Sequence, residues 1–262
     1  MSGLLALLSD AVAGMSPGTV AFCLAAMFVA AFIRGYSGFG SSLLWVPSLS
    51  LVLAPVAVVP VTFLLEFIVS IHLLPAIRHQ VHWRSLRWIW IGAIIGVPVG
   101  LAVIVSVSDD MTRAAVALTV IVAALLLWRG WLLQRELGWR GTGVVGFVAG
   151  LLTGGVGIPG PPVFLYYLSA PLEHAVGRAS IIGYLLGLAP VACLFAAFNG
   201  MLDGAAVVRA LLLTPVVLAG SWLGAHTFRK ADPEKARRWT LLLLMAIGVA
   251  LLARVVAGAA AA

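Results

Sequence analysis

The sequence predicts an all-α integral membrane protein with two inverted-topology repeats, each a broken or re-entrant helix pair followed by three transmembrane helices. Three observations predict it. Hydrophobic residues occupy 63% of the 262 positions and charged residues 10%, whereas a soluble domain carries roughly a quarter of its residues charged. That apolar surplus is too large for a core and must face lipid, as a mean hydropathy of +1.14 also implies. Glycine-rich breaks recur in the two halves, and basic residues gather in three short segments. Apolar blocks run from end to end without a polar linker. Residues 1–262 therefore read as one membrane domain, with a first repeat at 17–133 and a second at 141–257.

Crossing a hydrocarbon core takes about 20 apolar residues in a helix, because lipid offers the backbone no hydrogen-bond partners. In chain order the candidates are 19–34, 41–54, 57–77, 86–107, 112–133, 142–157, 159–170, 175–198, 205–228 and 238–257. Four are too short for ordinary spans and form two pairs, 19–34 with 41–54 and 142–157 with 159–170. Residues 1–18 lack the basic stretch of a cleaved signal and read as a short lead-in.

The two breaks carry the evidence for duplication. The first reads RGYSGFG from Arg34 to Gly40, the second LLTGGVG from Leu151 to Gly157. Gly38 and Gly40 align with Gly155 and Gly157 at an offset of 117, and Gly96 and Gly100 align with Gly220 and Gly224 at 124. The Gly-xxx-Gly pairs suit close helix packing, within one chain or between two chains of a homodimer.

Charge orients the halves. Eleven of the sixteen Lys and Arg residues lie in 78–87, 129–140 and 229–238. Cytoplasmic loops concentrate cations in this way, whereas a nucleic-acid-binding face would spread them. Segment 78–87 inside places the Asp109-Asp110 turn outside and 129–140 inside. Segment 229–238, with five cations, also belongs inside, yet the repeat alignment pairs it with the 109–113 turn. The halves are then inverted; a parallel arrangement would put those five cations outside. Six of nine tryptophans flank the first two basic segments, as an interfacial belt does.

The same pattern excludes several functions. Cys23 and Cys193 are isolated in apolar stretches, so no disulfide framework, zinc site or other metal site is expected, nor any cofactor. A membrane-embedded enzyme would need a cluster such as His-Glu-x-x-His or a Ser/His pair at membrane depth, and none is present. Transport of a small anion fits better. Inverted repeats with broken helices place their sites near the midplane, and helix N-termini present unpaired N–H groups and a positive dipole end. In the first break Ser37, Gly38, Gly40 and Ser41, with Ser42 behind them, offer hydroxyls and close backbone approach. In the second, Thr153, Gly155, Gly157 and Pro159 do so, with Pro161 and Pro162 opening the returning helix.

Two arginines border these breaks. Arg34 precedes the first, and Arg178 opens the segment after the second pair. An arginine within hydrocarbon faces a cavity or a partner, and its fork of donors suits oxyanions. Arg34 contacts substrate or forms an ion pair with Glu66; Arg178 contacts substrate or follows the positive-inside bias. Glu66 is the one acid well inside a predicted span, where desolvation favours its neutral form and the capacity to carry a proton. His72, nearly two turns on, is the candidate second member of a proton-coupling pair.

Together these features resemble the TauE/SafE family of sulfite and sulfonate exporters. The residues that carry the resemblance are Gly35-Tyr-Ser-Gly-Phe-Gly40, Gly154-Gly-Val-Gly157, the GIPGPP run that follows, Arg178-Ala-Ser180 and Glu66, and it covers about 19–256. It implies secondary transport of sulfur-containing oxyanions such as sulfite, sulfoacetate or related organosulfonates, driven by a proton or other gradient, in a bacterial inner membrane. The site would involve both breaks, Ser37, Ser41 and Arg178. Tyr36, Phe39 and Arg34 depart from a run of glycines and reshape the pocket. An importer or channel for another small anion, carboxylate or inorganic, is the alternative.

Overall fold

The computed structural model describes residues 15–37, 41–130, 133, 136–227 and 233–261, and these contain helices but no strand. In chain order the helices are α1 (Pro17–Ser37), α2 (Ser41–Ser50), α3 (Pro55–Ile77), α4 (Trp83–Ile104), α5 (Asp109–Arg129), α6 (Trp139–Val156), α7 (Pro161–Ser169), α8 (His174–Phe198), α9 (Gly204–Thr227) and α10 (Pro233–Ala261). Six of them, α1, α3, α4, α5, α8 and α9, are long and apolar enough to cross a membrane. Their outward faces carry large apolar side chains such as Ile95, Leu118, Leu211 and Phe198. On a soluble protein, patches of that extent would be a liability; here they face lipid. The chain is a multi-pass membrane protein.

The ten candidate spans match ten helices, with one correction. Segment 19–34 is not short: α1 has 21 residues and is one of the six spans, whereas α6, with 18, is not among them. Only α2 and α7, with 10 and 9 residues, fall below a membrane's thickness. At 1.5 Å per residue, α7 rises only about 14 Å. The glycine-rich break that begins at Arg34 does not end the first helix there. The helix continues because the charge of Arg34 is paired inside the protein.

Local chemistry sets several boundaries. Ser108 caps α5 by accepting from the Met111 N–H at 3.3 Å, and Gly130 ends that helix in the left-handed region at φ 62°. Pro55 opens α3 and Pro161 opens α7, where the missing N–H has least cost. Every residue of α2 is buried, and Trp45 Nε1 ties it to the Met27 carbonyl of α1 at 3.2 Å.

The most extensive helix contacts are α4 with α6 and α1 with α9. Both bring backbones together through glycine. A methyl on Gly92, Gly96 or Gly100 would stand 2.1, 2.3 and 2.3 Å from the carbonyl oxygens of Gly143, Phe147 and Leu151. Those partners advance together along both chains, so α4 and α6 run parallel. Gly35 meets the Ser221 carbonyl in the same way, and Gly220 meets that of Phe28. The Gly-xxx-Gly pairs at 96–100 and 220–224 thus include glycines that pack helices within one chain. Exchanging α1–α5 with α6–α10 turns each of these two helix pairs into the other. α3 and α8 pack on each other and have the most buried spans, 61% and 50%, against 33% for α1 and α9. They form the centre.

The bundle has two distinguishable ends. One gathers Val56, Ile104, Asp109, Asn199 and Ala206 around a common cavity. The other brings the α3–α4 turn to α8 through a bond from the His82 N–H to Ser180. There the Leu133 N–H also donates to the Ser169 carbonyl at 2.7 Å, returning the end of α7 to the α5–α6 connection. The α6–α7 pair therefore enters and leaves at one end. α9 begins at the cavity end and carries the chain away from it, so α10 begins at the end that holds Arg84 and Arg87.

Candidate functional site

Four side chains from three helices close on one another where α1 gives way to α2. Arg34 Nη1 donates to Glu66 Oε2 and, at 2.8 Å, to Ser41 Oγ; Nη2 donates to Ser70 Oγ at 2.8 Å. Ser41 in turn donates to Glu66 Oε1 at 2.5 Å. Arg34, Ser41, Glu66 and Ser70 are each at most 1% exposed. Glu66 and Ser70 are four apart on α3 and share its face, while α2 opens with Ser41 and so sets its hydroxyl between guanidinium and carboxylate. Burying these charges singly would cost several kcal/mol per ion, which mutual pairing and hydrogen bonding offset.

The cluster leaves donors unmatched. Arg34 Nε, Ser42 Oγ and Ser221 Oγ are buried and have no hydrogen-bond partner among the described residues. Such groups are rare in folded proteins, and each calls for a reason. They come from α1, α2 and α9, and the Ser221 carbonyl abuts Gly35, one residue past Arg34. Arg178 reaches the same place from α8: its Nη2 donates to the Gly35 carbonyl at 3.3 Å. Cationic groups from both halves of the chain thus converge on the first break. Gly38 and Gly40 lie outside the described residues, as does the Ser37 side chain.

The second break is built differently. Gly157 is left-handed at φ 69°, and a methyl there would stand 2.5 Å from Val59 of α3. Ile158, Pro159 and Gly160 are buried. The expected donors are largely spent. Thr153 Oγ1 donates to the Ala149 carbonyl at 2.7 Å within its own helix, Pro161 and Pro162 carry no N–H, and the Phe164 N–H returns to Gly160 at 2.7 Å. Gly155 packs on the Gly100 backbone of α4. Tyr184 brings a fully buried hydroxyl beside Thr153, without a hydrogen bond of normal geometry. Val59 on α3 and Arg178 on α8 thus play matching roles against opposite breaks, one apolar and one cationic.

The structure brings together Arg34, Ser41, Glu66 and Arg178 and separates His72 from them. His72 is exposed, six residues beyond the buried Glu66. At 100° per residue six steps turn the side chain to another face of α3. Ser70 and Ser221 escaped the sequence reading. The spacing of four from Glu66 would have found Ser70; nothing in the sequence links Ser221 to Arg34. The two free cysteines, Cys23 and Cys193, stand apart from the site, and the described residues hold no cluster of three metal-ligating side chains.

Comparison with known proteins agrees with this membrane architecture. The family model described as "Sulfite exporter TauE/SafE" matches residues 23–251. A "Probable sulfite/organosulfonate exporter TauE" of Cupriavidus necator is 30% identical over 234 residues, covering 84% of this chain and 89% of the relative. No solved structure matches the chain.

Proposed function

As the chain belongs to the sulfite exporter TauE/SafE family, we propose that it exports a small sulfur-containing oxyanion, such as sulfite, sulfoacetate or a related organosulfonate, bound at the first break. The observation that carries this reading is the set of buried donors Arg34 Nε, Ser42 Oγ and Ser221 Oγ, without a partner among the described residues, with Arg178 reaching the same break. A sulfite or sulfonate head has three oxygens and accepts from several directions at once, which such a constellation suits. The second break, walled by Val59, Phe164 and Tyr184, suits an uncharged part of the substrate rather than its head.

Glu66 gives the site a means of coupling. Its carboxylate already occupies Arg34, so an anion engages the guanidinium fully only when the carboxylate is neutralised or displaced. A proton taken up by Glu66 as the anion arrives keeps the buried charge balanced, and exposing either charge alone is costly. The two central helices α3 and α8 supply Glu66 and Arg178, so a rocking of one against the other moves both groups relative to the anion. Inverted repeats support such a cycle, and the placement of α9 and α10 relative to α4 and α5 favours that topology here.

Ligand binding by the purified protein is the direct test. Sulfite, sulfoacetate, other sulfonates, carboxylates and inorganic oxyanions are compared by thermal shift and calorimetry. A sulfur oxyanion at 100 times its Kd raises stability by about 2.7 kcal/mol. Stabilisation by none of the panel, or by carboxylates alone, would remove the proposed substrate class.

A further inference from the structure

The two ends of the bundle are closed to different degrees. At one, a cavity of about 480 Å³ lies between the starts of α3, α5 and α9 and the ends of α4 and α8. The opposite end is tied by a polar chain. The His82 N–H donates to Ser180 Oγ at 2.9 Å, His82 Nδ1 meets Ser85 Oγ at 2.8 Å, and Ser85 Oγ meets the Tyr167 hydroxyl at 2.9 Å. The Ser180 hydroxyl itself donates to the Val176 carbonyl at 2.7 Å. Ser85, Tyr167 and Ser180 are buried. At the rim His82 Nε2 stands 3.8 Å from Glu136, which draws in the α5–α6 connection. Beneath the chain, Val81 packs on Ala179 and Ile182 and also against the main core.

This closure differs in kind from the packing elsewhere. The α4–α6 contact is backbone on backbone and cannot slide without collision. The contact of the α3–α4 turn with α8 rests on one hydrogen bond, from the His82 N–H to Ser180, and on Val81 against Ala179 and Ile182. Such a bond has a modest net worth, and Val81 is only partly buried where it meets α8 and the core. Arg84 and Arg87 flank the turn, so the positive-inside bias places it at the cytoplasmic face. Arg178, which reaches Gly35 at the first break, lies two residues from Ser180 on α8.

We propose that this assembly, the α3–α4 turn with Ser85 and Tyr167 against the first turns of α8, is the inner gate of the transport pathway, closed in this conformation. Opening it moves the start of α8, and with it Arg178, so release of the gate and loosening of the anion site are one motion. The inference rests on the transporter reading above and leaves the identity of the anion open.

The test uses a single probe, Ala179→Cys, in a chain whose Cys23 and Cys193 are replaced by alanine. Inside-out membrane vesicles are treated with a membrane-impermeant maleimide, which reports opening without any substrate. Slow labelling is expected in the parent. Ser180→Ala removes the bond that joins the turn to α8, and Ser85→Ala removes the one that holds the His82 ring; each should raise the rate by up to about tenfold. Fast labelling in the parent overturns the gate, as do unchanged rates in both variants when each keeps its thermal midpoint. If Ser180→Ala does not fold, Ser85→Ala decides, because it leaves α8 unaltered. Faster labelling in a protein that carries no sulfur oxyanion would keep the gate and overturn the substrate.

Discussion

Arg34 of α1 and Glu66 of α3 meet side chain to side chain where neither is more than 1% exposed, with Ser41 of α2 bonded to both. The three helices of the first break are therefore joined by one charge-balanced cluster. Charge balance, more than the cation alone, governs how the site responds to change.

Removing one partner leaves the other charge buried and uncompensated. Arg34→Ala and Glu66→Ala should each lower stability by about 3–5 kcal/mol. The double variant should lose much less than the sum, because neither charge then remains. Thermal unfolding in detergent measures all three. Strict additivity would mean that the two residues act separately. Transport should be lost in each variant containing Arg34→Ala.

Glu66→Gln keeps the shape and removes the titration. If the anion arrives with a proton, apparent affinity in the parent falls as pH rises, and the glutamine variant should show a flat profile. Sulfite or sulfoacetate flux into proteoliposomes across a pH series measures this. A profile unchanged by the substitution would leave Glu66 a structural partner of Arg34.

Arg178 is only partly buried, and it reaches the break through the Gly35 carbonyl. Arg178→Ala should therefore weaken anion binding by about tenfold or more, or about 1.4 kcal/mol, while the thermal midpoint of the ligand-free protein changes little. Calorimetry on the variant gives the first value and a thermal scan the second. A loss of stability with affinity intact would reverse the assignment.

Glycine contacts make a sharp contrast. Gly35→Ala would set a methyl 1.9 Å from the Ser221 carbonyl oxygen, and Gly96→Ala 2.3 Å from that of Phe147. Both collide with backbone that cannot give way, so each should destabilise by at least about 1–3 kcal/mol. Gly143→Ala meets nothing within 4 Å and should be neutral or stabilise by up to about 1 kcal/mol. Melting temperatures of the three variants check the ordering.

Topology is testable apart from the site. Cysteine at Ser106, beside the cavity end, should label from outside, and cysteine at Lys230, which lies outside the described residues but in the basic segment 229–238, from the cytoplasm. Labelling of both from one side would exclude the inverted arrangement.

Much of the fold was legible because lipid imposes a simple rule: apolar runs must be helices, and charges mark their ends. That rule located ten segments in order, while the glycine-rich break at 34–40 made α1 look shorter than its 21 residues. Recurring glycines pointed to Gly157 as a bend, where the left-handed backbone bears this out, and to Gly96 as a contact. The hydroxyl of Thr153 was legible only as a residue type. Its bond to Ala149, which takes it out of the donor set, depends on helix geometry.

By itself, then, the sequence determined the class of the protein, the order of its helices and the two breaks, because composition and period are properties of neighbours along the chain. Tertiary structure alone decided that the breaks are unequal. Arg178 and Ser221 come to the first from helices more than a hundred residues away, while Val59 comes to the second. Contacts of that kind arise from the register of backbones packed through Gly35 and Gly96, and such a register has no signature in local sequence.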